Sequence, residues 1–367
     1  MLSSESRERP GAALLPRPDE SLVVIAPPGP GRGYWAGAPS AAFGDDGIYL
    51  AYRLRRPIGA GRGYAIAVAR SADGVHFETL TTITREEMGA ESLERPELVR
   101  DGSGRWRLYL SCATPGTKHW RVELLDAATP AEFDASRRVV VLPGDAKTGV
   151  KDPVIRLTGT WQMWACCHPL GEPADADQMV TDYATSPDGL EWTWHGTALS
   201  GRPGYWDSRG TRVSAVWRNA GQLVAYYDGR ATAAENYEER TGIAVGTEPE
   251  SLVALGVHPA AESPYAGRGL RYLDILELPG GRRRGRAAPP GPGERRALPA
   301  AGALLAAERG PAPAAVLGAA PGRAAVLRGR HPAARARHQR LLRRLAAAQG
   351  SLRGAGGRPA SRPVAGA

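Results

Sequence analysis

Three prolines stand 57 residues apart, twice over, and each opens the same pattern. The steps are Ala38-Pro39-Ser40-Ala41, Arg95-Pro96-Glu97-Leu98 and Asp152-Pro153-Val154-Ile155. A polar turn and an aromatic-rich run follow each step. Gly44-Asp45-Asp46-Gly47 precedes Ile48-Tyr49-Leu50-Ala51-Tyr52, Asp101-Gly102-Ser103-Gly104 precedes residues 106–110, and Leu157-Thr158-Gly159-Thr160 precedes residues 161–164. Apolar runs joined by turns of this composition predict β-hairpins. Two further copies lack the proline. Residues 211–216 lead through Asn219-Ala220-Gly221 to 223–227, and residues 270–276 lead to Pro279-Gly280-Gly281. Third strands are expected at 64–68, 120–124 and 242–245. Outer turns recur as Ser71-Ala72-Asp73-Gly74 and Ser186-Pro187-Asp188-Gly189, 115 residues apart. Four short strands per repeat is the pattern of a propeller blade. The chain is therefore expected to be all-β, a five-bladed β-propeller over residues 33–280, with blades starting near 38, 95, 152, 210 and 270. A β-sandwich with accidental spacing is the competing fold. Residues 1–32 form an N-terminal extension available as a ring-closing strand.

The fifth copy loses its pattern just after Gly281, although a 57-residue blade would run to about 325. Residues 281–367 contain 18 arginines, no lysine and two acids, Glu294 and Glu308. Ala, Gly, Pro, Arg and Leu supply 76 of these residues. All nine Trp, 12 Tyr and three Phe lie before them. Such a segment has too little apolar and aromatic content for an ordinary core. It is read as a low-complexity basic tail, either an out-of-frame translation of a GC-rich gene or a disordered extension, interrupting the fifth blade. The formal charge of +9 is thus a sum of unlike parts: residues 1–280 carry 29 basic and 36 acidic side chains. A nucleic-acid partner rests on the tail alone and is not expected for the acidic folded part.

No run of about 18 apolar residues marks a membrane span, and charges and prolines fill the N-terminus where a signal peptide needs an apolar stretch. A cytoplasmic protein without a membrane partner is expected. Cys166 and Cys167 are adjacent and Cys112 is alone, so no disulfide framework or metal-ligand spacing appears. They are read as buried strand residues, and no cofactor or metal is expected.

Blade strands alternate in direction. Loops leading into first strands and loops joining second to third strands therefore open on one face. The first set brings Trp35, Glu94, Arg95, Lys151, Asp152, Asp207, Arg209 and Arg271. The second brings Arg53, His119, Asp228 and the charge run Glu235, Glu238, Glu239. Glu97 and Arg212 come from inner strands near the axis. A funnel of aromatics, carboxylates and arginines suits a small carbohydrate: rings stack on sugar faces and charged groups bond hydroxyls.

Five such blades, with Asp152-Pro153 opening an inner strand and Ser-x-Asp-Gly outer turns, resemble the furanosidase propellers of glycoside hydrolase family 43 and its relatives. The resemblance spans about residues 33–280. It implies three inner-strand carboxylates: a general base in the first blade, an Asp in an Asp-Pro context that orients substrate or tunes a pKa, and a Glu as general acid. Hydrolysis needs one protonated and one ionised carboxyl flanking the glycosidic bond. By the resemblance Asp152 takes the orienting position, and Lys151 beside it favours its ionised form. Glu97 and Glu94 are the acid candidates, and Asp207 is the candidate base. Strand alternation leaves Glu97 free to point to the axis or away, Glu94 has Arg95 as a possible ion-pair partner, and Asp207 has the alternative of a turn residue. Trp35, Arg95, Lys151, Arg209, Arg212, His119, Asp228 and Arg271 are substrate-binding candidates. The family's base position is occupied here by Ala38, and Asp45 and Asp46 fall on the opposite face.

Three functions follow from this reading. The first is a glycosidase acting on a small glycoside by carboxylate acid/base chemistry. The second is a phosphorylase in which arginines and Lys151 hold phosphate in place of activated water. The third is a non-catalytic carbohydrate-binding propeller.

Overall fold

The computed structural model describes residues 22–219, 221–264 and 268–276. These residues form four antiparallel four-stranded sheets in chain order. Blade one contains β1 (Trp35–Gly44), β2 (Gly47–Arg55), β3 (Gly63–Ser71) and β4 (Glu78–Thr84). Blade two contains β5 (Leu93–Arg100), β6 (Trp106–Ala113), β7 (Trp120–Ala127) and β8 (Val139–Leu142). Blade three contains β9 (Thr148–Leu157), β10 (Trp161–Pro169), β11 (Val180–Ser186) and β12 (Thr193–Leu199). Blade four contains β13 (Gly210–Asn219), β14 (Gln222–Arg230), β15 (Arg240–Gly246) and β16 (Val253–Leu255). The expected hairpins and third strands are present. The blade count differs from the sequence expectation: the described residues hold four sheets, not five. Of the expected fifth blade they include the opening run 270–276, which is buried but forms no sheet. The rest of that blade, and the tail from 281, lie outside the described residues. So do residues 1–21; residues 22–32 contain no strand, and Val24 and Ile25 pack on blade one instead.

The turns follow their side chains. Asp101 Oδ1 accepts bonds from the amides of Ser103 (2.9 Å) and Arg105 (3.1 Å), while Gly104 takes φ 88°, closing β5–β6. The two outer turns are copies of each other. Ser71 Oγ donates to Asp73 Oδ1 (2.9 Å), which accepts from Val75 N; Ser186 Oγ donates to Asp188 Oδ1 (3.0 Å), which accepts from Leu190 N. These side-chain oxygens do the work of a backbone turn.

The core lies in wedges between successive blades rather than at one centre. Tyr49, Ile66, Leu93, Trp106 and Leu110 fill the first wedge. Tyr109, Val122, Ile155 and Met163 fill the second, and Trp164, Tyr183, Trp206 and Tyr227 the third. Residues Leu270, Leu273 and Ile275 pack on Trp217, Val224 and Tyr226 of blade four, as a next blade would. The three cysteines are free and buried.

The proline steps make a circular latch at the axis. Each lies at a bulge: Ala38 and Pro39 face one residue of β2, and Asp152 and Pro153 face one residue of β10. A bulge is where a strand tolerates a residue without N–H. The amide two residues after the proline then donates to a neighbouring inner segment. Leu98 N donates to Ser40 Oγ (2.9 Å), Ile155 N to Glu97 Oε1 (3.0 Å) and Ala41 N to Asp274 Oδ2 (2.7 Å). The last of these joins the 270–276 run to blade one.

Candidate functional site

The bulges set the geometry of the axis. Ala38 and Asp152 take φ 51° and Tyr272 takes φ 56°, a left-handed backbone uncommon for residues other than glycine. Ala, Asp and Tyr all adopt it, so the fold imposes the conformation and the residue supplies the chemistry. Asp152 is fully buried. Its Oδ1 accepts from Arg95 N (3.2 Å). Its Oδ2 accepts from Arg212 Nη1 (3.1 Å) and lies 3.7 Å from Lys151 Nζ. Burial alone would raise the Asp152 pKa, but Lys151, Arg212, Arg53 and Arg95 outweigh it and hold the group well below the usual carboxylate range.

The Tyr272 hydroxyl lies 3.1 Å from Asp152 Oδ2, 3.4 Å from Glu94 Oε2 and 2.8 Å from Arg212 Nη1. It therefore joins a carboxylate of blade two to one of blade three. Arg53, from β2, is ion-paired with Glu94. Arg212 also clamps Asp228 Oδ2 through Nε (3.1 Å) and Nη2 (2.8 Å), and Tyr272 N donates to Asp228 Oδ1 (3.0 Å). Glu239 accepts from Arg230 Nη1 (3.0 Å) and Arg271 Nη1 (2.8 Å). Around this centre run stacked cations and rings. Arg53 and Arg55 lie over Trp35 at 4.4 and 4.9 Å, Arg55 and Arg271 lie over Tyr237 at 5.0 and 5.5 Å, and Arg212 lies over Tyr272 at 3.8 Å.

The sequence candidates thus divide. Asp152, Glu94, Lys151, Arg212, Asp228, Arg271, Arg95 and Trp35 converge on the axis. Glu97 also lies there, but its carboxylate is engaged by Ser40 Oγ (3.1 Å), Ile155 N, Arg95 (3.2 Å) and Arg156 (3.3 Å) in the latch. Burial raises its pKa, and the arginines oppose that in part. The structure does not bring Asp207 to this group: Tyr227 Oη (2.7 Å) and Arg202 (2.9 Å) occupy its carboxylate. Arg209 pairs with Asp175 and Asp177. His119 is half-buried in the β6–β7 turn, with its amide on Thr117 Oγ1. Tyr272 and Tyr237 complete the site and have no place in the sequence reading, while Arg53 and Glu239, placed in the funnel by the loop geometry without a role, take ion-pairing positions in it. The signal for Glu239 was inside the charge run: Glu235 serves the turn by accepting from Ala231 N and Thr232 N, whereas Glu239 is 2% exposed.

Asp228 gives a pH prediction. Burial pushes its pKa up to about 6, against the lowering effect of Arg212. A carboxyl with a raised folded-state pKa binds its proton more tightly folded than unfolded. Its contribution is fully present below the unfolded value near 4 and is lost as pH rises through about 6. Between pH 4 and 7, wild type is expected to lose stability relative to Asp228→Asn, on the order of 3 kcal/mol at most. Urea unfolding of both proteins across that range checks it; parallel curves would contradict it. Glu239 runs the other way: although burial raises it, Arg271, Arg212 and Arg230 lower it to about 2. It is present in both proteins and cancels in the comparison.

Among the described residues no group of three or more His, Cys, Asp or Glu is placed to hold a metal ion, and no helix is long and apolar enough to cross a membrane. No protein-family model and no curated protein matches the chain. Solved structures do. A candidate glycoside hydrolase from Parabacteroides distasonis aligns over 69% of this chain and 87% of its own, with TM-score 0.51 and 17% identity. A thermostable family-43 glycoside hydrolase aligns over 68% and 82%, with TM-score 0.51 and 16% identity. The likeness and the four blades together establish the architecture: the chain is an all-β propeller of the kind found among glycoside hydrolases.

Proposed function

We propose that the axial site is a glycosidase-type centre acting on a small carbohydrate by carboxylate chemistry. The observation that carries this reading is the pairing of Glu94 and Asp152 through one phenol. A phenol carries a single hydrogen and can donate to only one of them. Lys151 and Arg212 favour the ionised form of Asp152, so that carboxylate is the natural acceptor. Glu94 rests ion-paired with Arg53, and the phenol holds it beside Asp152. In this reading Glu94 is the proton donor to the leaving group once it has taken up a proton, and Asp152 orients the site. Glu94 is also the less enclosed of the two, at 8% exposure against 0%. Trp35 and Tyr237 supply faces for stacking. Glu97 and Asp207 take supporting roles, in the latch and under Tyr227 respectively.

Phosphorolysis is the second reading. It is favoured by Ala38, which leaves the first blade without a carboxylate at its bulge, beside a cationic site. A panel of aryl glycosides, assayed with and without phosphate, tests both. Release of free sugar independent of phosphate supports hydrolysis, and phosphate-dependent release of a sugar 1-phosphate supports the second reading. Sugar binding without turnover under either condition would leave a carbohydrate-binding propeller.

A further inference from the structure

Five charged side chains, Arg209, Asp177, Arg230, Glu239 and Arg271, alternate in sign along one line of contacts. The line starts at the seam between blades three and four. Arg209, in the segment leading into β13, donates to the Asp177 carboxylate through Nε (3.3 Å) and Nη2 (2.6 Å) and also reaches the Ala174 carbonyl. Asp177 belongs to the β10–β11 loop of blade three. Arg230, at the end of β14, donates through Nη2 to the Asp177 carbonyl and lies 3.4 Å from its carboxylate. The same guanidinium donates through Nη1 to Asn236 Oδ1 (2.7 Å) and Glu239 Oε1 (3.0 Å). Glu239 accepts from Arg271 through its other oxygen (2.8 Å), and Arg271 lies over the Tyr237 ring at 5.5 Å. Bonding from Arg209 lowers the Asp177 pKa against the effect of burial, so this acid is ionised.

The line ends on a loop that is built to hold one shape. Thr232 and Glu235 form a capping box, and the amides of Asn236 and Glu238 donate to Ala233 O (3.2 Å) and Glu235 O (2.8 Å). Arg230 grips the loop on both sides of Tyr237, at Asn236 and at Glu239. Tyr237 itself takes φ 76°, a left-handed backbone that persists where the surroundings over-determine it. Its ring reaches across to blade one, where Arg55 lies at 5.0 Å. Arg230 and Glu239 are each 2% exposed. The link between the two loops is thus shielded from water and weakened less by screening than a surface pair.

We infer that Asp177 is a positioning residue for Tyr237: acting through Arg230, it holds the 231–239 loop in the shape that presents the ring to a sugar. The inference rests on the carbohydrate reading above for the role of the ring. It adds a residue from another blade and makes sugar binding depend on the seam between blades three and four.

Hydrogen-exchange mass spectrometry and kinetics on the full chain test it. In Asp177→Asn, verified as folded by thermal melting, the amides of residues 235–238 are expected to exchange about fivefold faster, since a residue along such a network alters the far element by that order. The β6–β7 turn, on the same face of the propeller, should exchange as in wild type. On the p-nitrophenyl glycoside turned over fastest in the panel above, KM should rise about fivefold with kcat nearly unchanged. Asp177→Glu keeps the charge and should recover most of the loss. Tyr237→Ala should raise KM, and Asp177→Asn should then add nothing to it. Asp45→Asn makes the same charge change at the opposite face, where Asp45 pairs with Arg100, and should leave both readouts as in wild type. Unchanged exchange at 235–238 overturns the inference and leaves the carbohydrate reading standing. So do effects of Asp177→Asn and Tyr237→Ala that simply add, or a fall in kcat with KM held. Faster exchange in a protein that neither binds nor turns over any glycoside upholds the coupling and removes the carbohydrate reading.

Discussion

Replacing Arg212 with methionine is expected to cost about 3–5 kcal/mol of stability, enough to lower the melting temperature by about 10 °C. Arg212 is 2% exposed and serves Asp152, Asp228 and the Tyr272 hydroxyl at once. Those partners come from blade three, blade four and the 270–276 run, so one side chain ties three parts of the ring. Methionine keeps most of the aliphatic stem but leaves two buried carboxylates without their shared guanidinium. Breaking a buried pair from one side is costly because the remaining charge cannot return to water. The orphaned carboxylates should then retain protons to higher pH, so the variant is expected to be more stable near pH 5 than near pH 8. Arg212→Lys keeps the charge but not the planar fork, and should fall between the two. Arg100→Met is the reference: its partner Asp45 is 85% exposed, and loss of such a surface pair changes stability by about 1 kcal/mol or less. Urea unfolding of the four proteins decides the matter. Equal losses for Arg212→Met and Arg100→Met would show that the axial network contributes little to holding the ring.

The propeller was legible because its signals are local and periodic. Prolines at fixed spacing marked bulges, Gly/Asp turns marked hairpins, and strand lengths matched a blade. The repeat also identified residue 270 as the start of an inner segment, and Leu270, Leu273 and Ile275 pack as one. The site was legible only in part, since its geometry depends on bulges whose side-chain direction does not follow simple alternation. Glu97 illustrates this. Its position next to Pro96 is readable, but the acceptance of Ile155 N by its carboxylate depends on a neighbouring blade 58 residues away. Tyr272 was missed for a related reason. Nothing local distinguishes it from a strand tyrosine, and its role comes from a left-handed bend and from partners 120 and 178 residues distant. Glu235, Glu238 and Glu239 read alike as a charged loop, yet a capping turn and two arginines give the first and last different tasks. Asp207 shows the converse. An aspartate beside a tryptophan in a loop before a blade looks like a site residue, while Tyr227 and Arg202 make it a pin between chain segments.

Charge illustrates how a bulk property can mislead. The whole chain is basic because of residues 281–367, while residues 1–280 carry more acidic than basic side chains. Within that acidic part, arginines and carboxylates converge in pairs on the axis, so net charge describes neither the surface of the propeller nor its site.

Glu94→Gln is expected to lower kcat/KM by about a thousandfold on glycosides with poor leaving groups, since proton transfer from a positioned side chain contributes roughly that much. Glutamine is nearly isosteric and can still meet the Tyr272 hydroxyl, so the fold should tolerate it better than loss of Arg212. The diagnostic feature is the leaving group. A dinitrophenolate departs without needing a proton, so on that substrate the loss should shrink to about tenfold or less. Asp152→Asn should behave differently. Asparagine suits the left-handed backbone at φ 51°, and Arg95 N keeps an acceptor, so structure is largely retained while the negative charge is removed. Turnover should fall on good and poor leaving groups alike. The loss of a nearby negative charge also makes it easier for Glu94 to ionise. The alkaline limb of the pH–rate profile, where a general acid becomes inactive, should consequently move to lower pH. A structural role for Asp152 would lower activity without that displacement. If Glu94→Gln loses equally on both classes of leaving group, the acid is another residue; if it loses on neither, the chemistry does not pass through this pair.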